Sequence, residues 1–249
     1  MLAESPVDQI RDALEQTAVE VLAEAGIGAP PVDMFKLAAR LGLTVARDGW
    51  GETRARFVQL GGPPGPARPT ILLADEPRVE RRHWALAHEV GEYAAHRVFA
   101  ELGVDPAEPA EGAREAVANR LAGCLLLPRR WFLADGYAVD WDLFELKSIY
   151  ATASHEMIAR RMLEMPPRVI VTMWDQGRQA WRRGNGSCGR PAPLTTPERD
   201  AWRIAHGVGE PARCDPGDLP EEISDVRAWP VHEPHWKREF ARMAIQDLD

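Results

Sequence analysis

The chain has 249 residues, 45% hydrophobic and 27% charged, which excludes an intrinsically disordered chain and allows one large domain or two small ones. With 30 basic and 38 acidic residues its formal charge is −8, so it has no general attraction to a phosphate backbone, and nucleic-acid binding would need a local basic patch. Cys124, Cys188 and Cys214 cannot close a disulfide framework, no run reaches the ~20 apolar residues of a membrane span, and no basic-then-apolar leader is seen, so a cytoplasmic, reducing location is expected.

Ser5, Pro6 and Asp8 supply an N-cap, a first-turn proline and an early acid before an apolar-periodic run, predicting a helix over 6–25. Gly and Pro over 26–31 break it, and a second helix follows over 32–41 with Gly42 as its C-cap. Strand signals over 43–47, 54–60 and 70–74 predict a small antiparallel sheet with a hairpin, its turn in the Gly/Pro-rich stretch 61–69. Helices are predicted over 77–99 and 113–126, the latter stopped by Pro128, then over 140–151 and 154–164 with Ser154 as a cap.

Composition changes at Met165-Pro166-Pro167. Beyond it a β-rich run over 168–174 has a hairpin partner over 179–183, a loop follows over 184–196, and 197–249 reads as a short helix, a Pro/Asp-rich loop and a Trp-rich tail. The expected domains are therefore 1–165 and 166–249. Asn185-Gly186-Ser187 reads as a plain turn in a chain that is not exported.

Chemistry concentrates in Trp84-Ala85-Leu86-Ala87-His88-Glu89-Val90-Gly91-Glu92. The HExxH pattern of zinc peptidases puts two ligands at i and i+4 on one helical face with a Glu as general base. Here Glu92 stands at the second ligand position. On the next helix Glu115, Asn119 and Ala122 share a face, because residues three and four apart are neighbours. A Glu115 carboxylate beside His88 and Glu92 would complete a three-ligand site with an open position. Without a cation, Glu89, Glu92 and Glu115 would crowd one cavity and raise at least one carboxyl pKa.

These segments resemble the ImmA/IrrE metallopeptidases, a gluzincin-like group. The likeness rests on Gly28-Ala29-Pro30-Pro31-Val32-Asp33 with Leu41-Gly42-Leu43, on Ile71-Leu72-Leu73 before Arg81 and Arg82, and on Ala87-His88-Glu89-Val90-Gly91. It is most specific in Glu115 with Ala118-Asn119-Arg120, Ala122 and Leu125-Leu126-Leu127-Pro128, and continues through Ala153-Ser154 and Ile158-Ala159. The resemblance implies an α+β fold: a mainly helical zincin-like core with a small sheet, followed by a smaller α+β C-terminal region. It implies a zinc-dependent endopeptidase that cleaves a DNA-bound repressor of the helix-turn-helix type in stress or mobile-element regulation. By position, His88 and Glu115 are ligands, Glu89 is the general base, and Glu92 occupies the place of the family's second His. A Glu can ligate zinc, and an oxygen-richer site also suits Mn²⁺. The alternative is a non-catalytic relative acting as a regulatory or partner-binding module.

Other residues carry weaker signals. His96 lies ~12 Å along the helix from His88 and His83 points ~140° away, so both read as surface or second-layer residues. His155 would reach the site only through the tertiary fold. Asn119 and Arg120 are candidates to orient the site or hold substrate carbonyls, and Tyr93 reads as a core-rim residue. Strand 70–74 is expected to pair with extended substrate. The helices over 140–151 and 154–164 have the short turn of a helix-turn-helix, with Arg160, Arg161 and Arg168 nearby, yet the acidic chain argues against direct nucleic-acid contact. Cys188, Cys214, His206, His232 and His235 match no zinc-ribbon spacing. Trp202, Trp229 and Trp236 read as packing for a small domain or as a partner surface.

Overall fold

The first helix, α1 (Val7–Glu24), forms because Leu14, Ala18, Val21 and Leu22 recur at helical spacing and bury on one face. The computed structural model describes residues 7–49, 54–61, 68–105, 111–186 and 191–246; the Ser5 cap, Ser187 of the sequon and Cys188 lie outside the described residues. It divides into two compact units, one of Met1–Asp140 with Leu146–Ser154, the other of Trp141–Glu145 with His155–Asp249.

In the first unit α2 (Met34–Arg40) starts where the Asp33 carboxylate accepts from the N–H groups of Phe35 and Lys36 at 3.0 and 3.2 Å. Three strands follow: β1 (Thr44–Asp48), β2 (Ala55–Leu60) and β3 (Arg68–Ala74), in the order β1-β3-β2. The β2–β3 pair is the expected antiparallel hairpin, with Phe57 opposite Ile71. β1 instead runs parallel to β3, Thr44 opposite Thr70, so the sheet is mixed rather than antiparallel. β3 is thereby central and paired on both sides. It cannot pair with an extended substrate as expected; the sheet edges are β1 and β2.

The long α3 (Val79–Glu101) and α4 (Glu111–Leu126) pack directly together, and both lie against α1. Gly91 sets their approach. A Cβ there would sit 2.6 Å from the carbonyl oxygen of Ala118, a backbone clash that only glycine avoids. Pro128 then caps α5 (Arg129–Ala138), a helix the sequence reading passed over. Asp140 and Trp141 both take left-handed backbone at φ 50° and 58°, which ends α5 and delays α6 to Leu143–Ile149. The Tyr150 hydroxyl donates to Asp135 at 2.7 Å, and the Tyr150 ring meets Phe132 edge-on.

Besides Trp141–Glu145, the second unit holds α7 (His155–Met162) and an antiparallel sheet in the order β5-β4-β8-β7-β6. These strands are β4 (Val169–Asp175), β5 (Arg178–Gly184), β6 (Ala212–Arg213), β7 (Ile223–Glu233) and β8 (Trp236–Ile245). The β4–β5 turn places Gln176 and Gly177 at φ 51° and 72°, the paired left-handed residues that match strand twist in a two-residue hairpin. β7 and β8 replace the predicted Trp-rich tail with a long hairpin.

Against this sheet packs α8 (Thr196–Val208), opened by Thr195 and Glu198 as a reciprocal capping box. Its inner face joins Ala201 and Ala205 to Ile170, Trp174, Val226, Ala228, Ala241 and Met243 in one core. The buried Glu198 carboxylate also receives Arg182 in a two-pronged pair at 2.6 and 3.0 Å. No helix among the described residues is long and apolar enough to cross a membrane.

Candidate metal centre

The α3–α4 contact brings three of the predicted residues to one point. His88 Nε2 lies 3.8 Å from Glu92 Oε1, one turn along α3, and 3.5 Å from Glu115 Oε2 on α4. One ligand atom from each of the three falls within 4.8 Å of the others. Asn119 ties the group together. Its Oδ1 lies 3.2 Å from His88 Nδ1, and its amide nitrogen donates to Glu115 Oε1 at 2.8 Å. Holding one imidazole nitrogen directs the other, Nε2, toward the carboxylates. Arg120 is exposed.

The donor set fits a divalent cation: one imidazole and two carboxylates, with Glu92 and Glu115 about half exposed at 44% and 55% of their side chains. Glu89 is different. It is 6% exposed, and its carboxyl pKa is raised to about 7, first by desolvation and then by the Glu92 and Glu115 charges, with His88 and the Phe57 backbone N–H acting against them. The adjoining cleft, about 440 Å³, is lined by Phe57, Glu92, Tyr93, Arg114 and Glu115. Tyr93 stacks on Phe57 with ring centres 5.9 Å apart, so it belongs to the cleft wall rather than to a core rim.

The remaining histidines stand apart from this cluster. His83 is buried, not a surface residue: its Nδ1 accepts the Met34 N–H at 3.2 Å and its ring meets Phe35 edge-on. His96 Nδ1 engages the Tyr93 carbonyl on α3. His155 meets the Phe144 ring in the second unit. Of the arginines offered for phosphate contact, Arg160 is paired with Glu156 and lies over the Trp181 ring, and Arg161 is paired with Glu164. Sequence reasoning missed Arg114 and Phe57 of the cleft lining; adjacency to Glu115 marked the first, but nothing local marked the second.

The sign of the Glu89 shift yields a stability prediction. The folded chain binds this proton more tightly than the unfolded one, whose ordinary value is 4.5. The stabilisation is fully present below that value and is lost as pH rises through about 7. Denaturant unfolding of chelator-treated protein is expected to show lower stability at neutral pH than at pH 5, and Glu89→Gln to flatten that difference. An identical slope in both proteins would contradict the assignment.

Residues 38–163 match the model of Peptidase_M78, the IrrE N-terminal-like domain. The chain belongs to this metallopeptidase family, the match spanning both α3 and α4. A solved structure of a Mycobacterium tuberculosis transcriptional regulator shares the fold: TM-score 0.62 at 17% identity, covering 93% of this chain and 87% of that one. No curated protein matches the sequence.

Proposed function

We propose that the chain is a cytoplasmic metal-dependent endopeptidase whose substrate is a DNA-binding repressor of the helix-turn-helix type, in stress response or mobile-element regulation. Residues 1–165 would form the peptidase and 166–249 a sensor or partner-binding region. The observation that carries the reading is geometric: the buried Glu89 carboxyl sits on α3 next to His88, one of three convergent candidate ligands, and burial pushes its pKa up to about 7. A general base works best with a pKa near the operating pH. Among the described residues Cys124 and Cys214 form no disulfide, which accords with a reducing compartment. The fold likeness to a protein described as a transcriptional regulator accords with a regulatory setting.

In this reading His88, Glu92 and Glu115 hold zinc, or manganese. The ion supplies Lewis acidity to a carbonyl and lowers the pKa of water. Asn119 keeps His88 and Glu115 aimed at the same point. Glu89 takes the proton of the attacking water and returns it to the leaving amine. The unpaired side of β2 aligns an extended peptide by strand addition, next to the Phe57–Tyr93 wall.

The expected result is metal-dependent cleavage of a neighbouring helix-turn-helix repressor by the wild-type chain. Glu89→Gln should lower the rate by about 10²- to 10⁴-fold with metal content unchanged. Equal cleavage by both proteins would overturn the role of Glu89. The exposed Glu92 in place of a second imidazole favours a second reading, a non-catalytic module; metal-loaded wild type that leaves every repressor intact would select it.

A further inference from the structure

The second unit contains a carboxylate where its surroundings predict an apolar side chain. On β8, Glu239 stands on the same face as Ala241 and Met243, which belong to the core under α8. Its side chain is fully buried. Three donors from two elements converge on it. From α8, one turn apart, Trp202 Nε1 donates to Oε2 at 3.4 Å and His206 Nδ1 lies 2.9 Å from Oε1. From β7, His232 Nε2 lies 2.7 Å from the same Oε1. Since Pro230 is opposite Glu239 and His232 opposite Lys237, His232 is the diagonal neighbour of Glu239 across the hairpin, on the same face.

We propose that His206, His232 and Glu239 form a second metal site, for a divalent transition-metal ion such as zinc. The proposal is independent of the peptidase reading, because all three ligands lie in the other unit. One ligand atom from each of His206, His232 and Glu239 falls within 4.8 Å of the others. Ligands held ~2.0–2.1 Å from an ion are separated by about 3 to 3.4 Å, so the two imidazole nitrogens, 2.9 and 2.7 Å from Oε1, need to part from it by only about half an ångström. Two imidazoles and one carboxylate suit zinc, copper, nickel or iron.

The layer around the ligands is also built. The Trp202 indole engages Oε2, leaving Oε1 to face both imidazoles. Trp202 stacks between Trp174 and the His206 ring, at 5.5 and 5.3 Å, which fixes the imidazole plane. The nearby Lys237 ammonium is occupied at 2.9 Å by the His206 carbonyl oxygen. A buried carboxylate needs compensating positive charge, and a divalent ion supplies it without protonating either imidazole. His206 and His232 remain partly exposed, so an ion has a way in. The residues come from three stretches of chain with no finger or ribbon spacing, which hid the site from the sequence. Neither Cys214 nor His235 joins it among the described residues.

The test uses zinc alone and the full chain stripped with chelator. In a His88→Ala background, which disables the first centre, native mass spectrometry is expected to find one zinc retained. His206→Asn or His232→Asn should each weaken that binding at least about tenfold, the loss that even an outer-layer partner of a ligand causes. In wild type, which avoids any folding defect of the variants, imidazole NMR should show His206 Nδ1 and His232 Nε2 shifting on zinc addition. No zinc retained by His88→Ala, binding untouched by either Asn substitution, or both imidazole nitrogens unmoved at saturating zinc would each overturn the site.

Discussion

Replacing Glu92 with His should raise zinc affinity about tenfold, equivalent to about 1.4 kcal/mol, and shift the rate–pH profile to the acid side. With His88 and two carboxylates around a divalent ion the net charge of the centre is zero. With two imidazoles and Glu115 it is +1, and an ion that keeps more net charge acidifies water more strongly. Geometry permits the exchange, since Glu92 lies one turn from His88 on α3 with its oxygen 3.8 Å from Nε2. The substitution also removes one of the two carboxylates that raise the Glu89 pKa. The base is then ionised at lower pH, which reinforces the same direction. Calorimetric zinc titration and rate–pH profiles of both proteins would check it. No gain in affinity or rate would mean that Glu92 is not a ligand.

The second large effect is expected at Gly91. Its Cβ in Gly91→Ala would stand 2.6 Å from the Ala118 carbonyl oxygen, so α3 and α4 must separate. Overpacking of this kind costs about 1–3 kcal/mol, which in a chain of this size lowers Tm by roughly 2–12 °C. Glu115 lies three residues before Ala118 on α4, so the same separation pulls a ligand from His88 and should weaken zinc binding at least about tenfold. Gly123→Ala is the control. It lies on α4 with nothing within 4 Å of the added carbon, and alanine at an open helical position gains about 0.5–1 kcal/mol over glycine. Equal Tm and equal zinc affinity in wild type and Gly91→Ala would show that the crossing is not tight.

The candidate peptidase centre was legible because its determinants are local or repeat at helical spacing. His88 and Glu92 share one helix face, and Glu115 is one turn from Asn119. The flanking helices follow apolar periodicity, and the Asp33 cap marks the start of α2. What failed depended on distant partners. Which neighbour β1 takes is decided by pairing, and periodicity within Thr44–Asp48 cannot distinguish a parallel from an antiparallel ladder. β7 and β8 were unreadable as strands because Pro230, His232 and Glu239 interrupt the apolar alternation. β6 reaches only Arg227 and Ala228, leaving Pro230 on a stretch of β7 unpaired on that side, where proline is tolerated. His232 and Glu239 make sense only once a hairpin and a helix enclose them.

The Glu198 carboxylate serves two elements at once. It closes the first turn of α8 through Thr195 and anchors Arg182 of β5. Fraying of that turn would strand a buried guanidinium, so the helix end is denied the cheap local opening usual at termini. Amide protons there should exchange with solvent only when the strand beneath them does, making helix start and strand one cooperative unit.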